Sequence, residues 1–147
     1  MEKINVGVIG CGRISSQYLE NMVNRFPYIL NVAACADIIR EAAERQAAAF
    51  GIPNVVSVSE LLEDPEIDLV VNLTVPAAHH EVSMAALEAG KHVYTEKPLA
   101  VTRDEGLELL ATAHERDLRI GGAPDNFLGA GLQTWRKLLD EGWIGIP

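Results

Sequence analysis

Several features that mark other classes of protein are scarce in these 147 residues. Aromatic residues make up 5% of the chain, there are 2 cysteines, and 12 basic residues stand against 21 acidic ones. No apolar run approaches the roughly 20 residues of a membrane-spanning helix, so we expect no membrane association. The net charge of −9 argues against nucleic acid as a partner, because such binding depends on basic patches that neutralise phosphates.

The remaining scarcities concern targeting and covalent chemistry. Met1-Glu2-Lys3 leads directly into the first predicted strand, so we expect no signal peptide and a cytoplasmic location. In that compartment a disulfide is not expected, and Cys11 and Cys35 are predicted to be small buried thiols. Neither has metal-ligand spacing to the other or to a histidine, and we predict no metal site.

The first apolar stretch, residues 4–9, has the β-branched alternation of a buried strand and leads into Gly10-Cys11-Gly12 and a helical pattern. Strand, glycine turn and helix in this order form the first part of the dinucleotide-binding fingerprint. Gly10 permits the tight turn, and Gly12 lets the backbone approach a pyrophosphate at the helix N-terminus. Ser15 stands in the place of the third glycine and is small enough to keep helix and strand close.

A second predicted strand, residues 30–36, ends at Asp37. A carboxylate about 20 residues beyond the glycines can accept hydrogen bonds from both hydroxyls of an adenosine ribose. The alternative is that Asp37 only caps the following helix. An anion here disfavours a 2′-phosphate and so predicts NAD over NADP, although Arg40 is near enough to accommodate that phosphate. Arg13 and the backbone N–H groups supply the positive field that an anionic ligand needs.

Strands and helices alternate along the chain, which predicts an α/β fold with a doubly wound parallel sheet, the Rossmann fold, in the strand order 3-2-1-4-5-6. Predicted strands cover residues 4–9, 30–36, 54–57, 68–73, 91–94 and 118–121. Thr102 and Glu105 predict a capping box at the start of a helix. The residues that this helix is expected to bury are Leu107, Leu110 and Ala111. A last helix carries Leu132, Trp135 and Leu139 on one side and ends at Gly142.

The predicted fold collects residues that are far apart in the chain. In a doubly wound sheet, ligands bind outside the carboxyl ends of the strands. Those ends carry the glycine loop, Asp37, a turn at Thr74 and the segment Glu96-Lys97-Pro98. The proline fixes the backbone there, and Lys97 is expected to project toward whatever lies beyond the nicotinamide.

These residues resemble the amino-terminal half of the Gfo/Idh/MocA oxidoreductases, the relatives of glucose-fructose oxidoreductase and inositol dehydrogenase. The resemblance covers nearly the whole chain and is most specific over residues 89–100, Ala-Gly-Lys-His-Val-Tyr-Thr-Glu-Lys-Pro-Leu-Ala. The other segments that carry it are residues 10–14, 36–37, 72–76 with His79 and Glu81, 123–125 and 127–131. Val75 departs mildly from the family, in which many members have proline.

The resemblance implies an NAD(P)-dependent oxidoreductase that transfers a hydride between nicotinamide and a hydroxyl carbon of a sugar, cyclitol or related polyol. Lys97 matches the family lysine that hydrogen-bonds the substrate hydroxyl and assists proton transfer, a role that alcohol oxidation requires. The implied cofactor contacts are Gly10, Gly12, Arg13 and Ile14 near the pyrophosphate, Asp37 at the adenosine ribose, Thr74, Val75, Pro76 and His79 toward the nicotinamide ribose, and Glu96 beside the nicotinamide.

In the family, a second α/β domain supplies a catalytic aspartate and histidine, most of the substrate pocket and the oligomer interface. We therefore expect residues 1–123 to form the NAD(P)-binding domain and residues 124–147 a helical connection toward a substrate domain absent from this chain. Such a chain is expected to bind NAD without turning over substrate, and the full-length protein to be a homo-oligomer. Two alternatives stay open: a non-catalytic dinucleotide sensor or regulator on the same fold, and another adenosine-containing ligand.

Overall fold

A single parallel sheet forms the centre of the molecule. The computed structural model describes residues 3–123 and 128–145. The strands are β1 (Ile4–Ile9), β2 (Leu30–Ala36), β3 (Asn54–Val55), β4 (Leu69–Asn72), β5 (His92–Thr95) and β6 (Ile120–Gly122). All neighbours pair in parallel, in the order β3-β2-β1-β4-β5-β6. The predicted doubly wound α/β fold and its strand order are confirmed.

Helices connect successive strands. They are α1 (Ser15–Glu20), α2 (Arg40–Phe50), α3 (Val58–Glu63), α4 (His79–Glu88) and α5 (Arg103–Glu115). A further helix, α6 (Ala130–Asp140), follows β6. A π-helical turn at Asn21–Arg25 continues α1, and a 3₁₀ turn at Pro76–Ala78 leads into α4. The third strand is shorter than predicted because Ser57 is the N-cap residue of α3, in a capping box with Glu60.

Two apolar clusters cover the two faces of the sheet. Successive strand residues point to opposite faces, so Val8 and Val71 belong to one cluster and Ile9 and Val70 to the other. Leu19 of α1 and Ala43 of α2 pack in the first cluster. The buried residues that α3, α4 and α5 place in the second are Leu61, Ala86, Leu87, Leu109 and Ala113. The helices are thereby fixed on the sheet, and the loops at the carboxyl ends of the strands lie side by side.

The prediction for the buried face of α5 is wrong. Leu107 and Leu110 are exposed, by 48% and 49%, and Ala111 is exposed as well. Leu109 and Ala113 are buried instead. Both sets satisfy the helical spacing, and only packing against the sheet selects between them. The predicted capping box of Thr102 and Glu105 is present.

The last helix carries its apolar residues on an exposed side. Leu132 and Trp135 of α6 are exposed by 47% and 61%, and Gly142 follows the helix with φ +74°, as the predicted end requires. The division of the chain at residue 123 stays a prediction, and the resemblance at residues 124–127 lies outside the described residues. Within the described parts of the chain, no helix has the length and hydropathy needed to cross a bilayer.

The two leucines of α5 test this packing. We expect Leu109→Ala to lower the free energy of unfolding by about 3 kcal/mol, because it leaves a cavity at a fully buried position. Leu110→Ala is the matched control on the same helix turn and should change stability by about 0.5 kcal/mol or less. Urea unfolding followed by circular dichroism measures both. Equal losses in the two variants would contradict the assignment of the buried face.

Candidate functional site

A cavity of about 600 Å³ lies at the carboxyl ends of β1, β2 and β4. The strand order reverses at β1, which lies between β2 and β4, and such switch points are where doubly wound sheets bind ligands. The predicted site residues that line the cavity are Gly10, Gly12, Arg13, Ile14, Asp37, Thr74 and Val75. The structure thus brings together three loops that the sequence separates by dozens of residues.

The two glycines of the first loop serve different purposes. Gly10 has φ +98°, and a Cβ there would lie 2.6 Å from the carbonyl carbon of Leu73. A side chain is therefore excluded by the protein's own backbone. A Cβ on Gly12 would meet no protein atom within 4 Å, so packing does not explain this glycine. Open space in front of Gly12, inside the cavity, fits a residue that lets a phosphate approach the backbone.

Ser15 connects the start of α1 to the glycine loop. Its side chain is fully buried, and its hydroxyl donates a hydrogen bond to the carbonyl oxygen of Gly12 at 2.6 Å. The contact ties the first residue of α1 to the glycine loop.

Asp37 links the second loop to the first. Its Oδ2 accepts a hydrogen bond from the backbone N–H of Cys11 at 2.6 Å, and its Oδ1 accepts one from the N–H of Ile39 at 2.8 Å. The N-cap of α2 is Ile39, and its N-terminal residue is Arg40, so Asp37 does not occupy the capping position that the alternative proposed. Each carboxylate oxygen retains a further lone pair for a ligand hydroxyl.

Arg40, the residue that complicated the cofactor prediction, is engaged elsewhere. Its Nε donates to Oε1 of Glu44 at 3.0 Å along the exposed side of α2. Arg40 lies outside the cavity lining, whereas Arg13 is part of it. Of these two guanidinium groups, the one that lines the cavity is therefore that of Arg13.

A buried polar network shapes the third loop. The Nδ2 of Asn72 donates to the carbonyl oxygen of His79 at 3.1 Å and to Oγ of Ser83 at 3.0 Å. Its Oδ1 accepts from the N–H and the hydroxyl of Thr74, at 3.2 and 2.7 Å. Asn72 and Ser83 are fully buried. The network holds Thr74 at the edge of the cavity.

His79 lies behind this loop. Its ring is 1% exposed, with Nδ1 2.6 Å from the carbonyl oxygen of Pro98 and Nε2 3.0 Å from that of Thr74. Neither His79 nor Pro76 is part of the cavity lining. The expected contact of these two residues with a nicotinamide ribose stays a prediction.

The segment that carries Lys97 follows β5, the next strand along the same edge of the sheet. The Oε2 of Glu96 accepts a hydrogen bond from the backbone N–H of Lys97 at 2.6 Å, and its Oε1 accepts one from the hydroxyl of Tyr18 at 3.0 Å. The Lys97–Pro98 peptide is cis. Glu96 and Lys97 lie outside the cavity lining, and the Lys97 side chain is exposed.

The surroundings of Tyr18 keep its hydroxyl a hydrogen-bond donor. Burial and the hydrogen bond to the Glu96 carboxylate raise the pKa of the Tyr18 hydroxyl well above its ordinary value. The hydroxyl therefore keeps its proton and donates a hydrogen bond to the Glu96 carboxylate. The tilted ring of Tyr94, 6.4 Å away between centroids, packs against Tyr18.

The two cysteines are buried and free, as predicted. The neighbouring thiol of Cys35, together with burial, raises the pKa of the Cys11 thiol. Cys11 consequently stays a thiol rather than a reactive thiolate. In residues 3–123 and 128–145, no three histidine, cysteine or acidic side chains are grouped so that they could hold a metal ion.

Sequence reasoning missed several residues of the site. Ile38 and Ile39 line the cavity with exposures of 96% and 57%. The sequence feature that could have indicated them is a pair of isoleucines directly after Asp37, at the end of a strand. Tyr18 is another, because nothing in the local pattern around it indicates a partner 78 residues away. Ser83 was missed for the same reason, because its hydrogen bond with Asn72 forms only when the chain has folded.

Comparison with known proteins agrees with this geometry. The family model described as "Oxidoreductase family, NAD-binding Rossmann fold", that of Gfo/Idh/MocA, matches residues 4–122. The chain belongs to this family. The resemblance noted in the sequence is thus confirmed.

The relatives include enzymes with either nicotinamide cofactor. The chain is 32% identical to 1,5-anhydro-D-fructose reductase of Ensifer adhaerens over 96% of its own length and 42% of that protein. KijD10, a 3-ketoreductase from Actinomadura kijaniata solved with NADP and TDP-benzene, is 35% identical with a TM-score of 0.83 over 98% of this chain and 44% of that one. The WlbA dehydrogenase of Bordetella pertussis, solved with NADH and UDP-GlcNAcA, is 27% identical with a TM-score of 0.87 over 97% and 42%. The chain spans less than half the length of these relatives.

The contrast between the glycines can be tested by stability. We expect Gly10→Ala to lower the free energy of unfolding by about 3 kcal/mol, because it combines positive φ with a clash against the Leu73 backbone. Gly12→Ala, the control in the same loop, should cost about 1 kcal/mol or less. Urea unfolding measures both variants, and a Gly12→Ala loss as large as that of Gly10→Ala would refute the distinction.

Proposed function

We propose that this chain is the cofactor-binding half of an NAD(P)-dependent oxidoreductase that transfers a hydride between nicotinamide and a hydroxyl carbon of a sugar, cyclitol or related polyol. The observation that carries the proposal is the cavity at the switch point, in which Gly12 and Asp37 face the same space. Family membership and the sugar-linked chemistry named for the relatives support the substrate class.

The residues of the cavity suit the parts of a dinucleotide. The open space before Gly12 admits a pyrophosphate, which Arg13 balances in charge. Asp37, held by the N–H groups of Cys11 and Ile39, accepts hydrogen bonds from ribose hydroxyls. Much of the remaining lining is apolar and includes Ile38, Ile39 and Val75, which fits a flat base.

Lys97 is the proposed catalytic residue. When bound, the nicotinamide cofactor supplies the hydride acceptor. Oxidation of an alcohol also requires a group to take up the hydroxyl proton, and Lys97 is exposed at the strand end next to the cofactor loops. Because the chain spans 42% of a related reductase, we propose that it binds cofactor without turning over substrate.

We propose NAD as the preferred cofactor. The Asp37 carboxylate lies where a 2′-phosphate would add a second negative charge, and Arg40 is paired with Glu44 along α2. The related structures do not distinguish between the two cofactors, since one was solved with NADH and another with NADP. The cytoplasmic location and the homo-oligomeric full-length protein remain predictions from the sequence.

Calorimetric titration tests the cofactor preference. We expect NADH to bind more tightly than NADPH. Asp37→Asn should lower the ratio of the NADPH dissociation constant to the NADH dissociation constant about tenfold, because it removes the negative charge that repels the 2′-phosphate. Arg40→Ala is the control and should leave the ratio unchanged. Tighter binding of NADPH by the unaltered chain would contradict the preference, and no binding of either would contradict the proposed function.

Gly12→Ala tests the pyrophosphate position. We expect the added methyl group to raise the dissociation constant for NADH about tenfold or more, since it fills space that the protein leaves open for the ligand. The same titration measures this, and the thermal unfolding of the free variant serves as control. Unchanged affinity in a folded variant would show that no ligand approaches Gly12.

A further inference from the structure

Two side chains hold the segment Glu96-Lys97-Pro98 at its two ends, from opposite faces of the sheet. Tyr18 comes from α1 and packs with the cluster on that face; its hydroxyl donates to Glu96. His79 comes from the first turn of α4, on the other face, and contacts the carbonyl oxygen of Pro98 at 2.6 Å. Each contact spans a long sequence separation and fixes one neighbour of Lys97.

His79 also contacts a second loop. Its second ring nitrogen is 3.0 Å from the carbonyl oxygen of Thr74, in the loop that lines the cavity. A neutral imidazole donates one hydrogen bond and a protonated one donates two, so in either form the ring ties at least one loop to α4. The ring is buried, where an unmade hydrogen bond is costly.

Lys97 itself is held only through its backbone. Its N–H donates to Glu96 at 2.6 Å, whereas its ammonium makes no hydrogen bond or ion pair with any residue that the structure describes. Both neighbours are fixed, and among residues 3–123 and 128–145 the charged group between them has no partner.

We propose that Tyr18 and His79 are positioning residues that together aim Lys97 at the substrate, Tyr18 through the Glu96 carboxylate and His79 through the Pro98 carbonyl. The inference rests on the proposed function, because it assigns these residues to the lysine of that reaction. His79 then acts on Lys97 from behind the loop that lines the cavity.

Four variants test the proposal. Tyr18→Phe removes one oxygen, and His79→Phe keeps a ring without its hydrogen bonds. Tyr28→Phe is the matched control for the first, since Tyr28 is 66% exposed. His80→Phe is the control for the second, because the neighbouring histidine pairs with Glu108 of α5 instead of with either loop.

The first measurement is amide hydrogen exchange in the full chain without cofactor. We expect Tyr18→Phe to speed exchange at Lys97 about threefold to tenfold, the value of one hydrogen bond. His79→Phe should speed exchange at both Lys97 and Thr74, because its ring contacts both loops. The controls should change neither. Unaltered exchange at Lys97 in Tyr18→Phe overturns the proposal even where His79→Phe does not fold.

The second measurement follows Lys97 on addition of NADH. The chain has four lysines, so ¹³C labelling at lysine Cε gives a resolved signal, assigned with Lys97→Arg. We expect NADH to shift this signal in the unaltered chain and in the controls. The shift should fall to about half or less in the two positioning variants, because the backbone that carries the lysine side chain is no longer held in one place. An undiminished shift in both variants overturns the positioning role.

The two measurements separate the two claims. No NADH-induced shift and no binding in the unaltered chain would defeat the proposed function, while exchange in the free protein still decides whether Tyr18 and His79 hold the segment. Accelerated exchange in the variants with a normal NADH response would show that the contacts are structural and do not position Lys97.

Discussion

The direct contact between the backbones of two loops is the constraint on which the site depends. Gly10 lies so close to Leu73 that no side chain fits between them, and this brings the turn after β1 against the turn after β4. The cavity exists because the two turns meet there while their helices diverge to opposite faces of the sheet. Everything that we assign to cofactor binding is arranged around this contact.

Hydrogen bonds from buried or half-buried side chains then set the loops relative to one another. Asp37 ties the loop after β2 to the glycine loop through Cys11. Asn72 holds the turn after β4, and His79 joins that turn to the segment after β5. The loops along the carboxyl edge of the sheet are therefore connected in series, and a ligand that spans them would meet a preorganised surface.

The acidic character of the chain and its proposed anionic ligand are compatible for a local reason. Net charge governs long-range attraction, but a bound phosphate responds to the groups within a few ångströms. At the glycine loop those groups are backbone N–H dipoles and Arg13, while the acidic Asp37 faces the part of the cavity proposed for neutral ribose hydroxyls. Asp37 lies beside the glycine loop, but the N–H groups of Cys11 and Ile39 already offset part of its charge, and its remaining lone pairs are left for those hydroxyls.

Local patterns in the sequence determined the strands and helices, their order and the residues at the strand ends. Strand periodicity, a glycine turn and an acidic residue after a strand can each be recognised within a few residues. The short range of those patterns explains what they could not determine. The buried face of α5 was ambiguous between two apolar sets, and only the sheet selected Leu109 and Ala113. Tyr18 and His79 acquire their partners, Glu96 and Pro98, only when distant segments are brought together by packing.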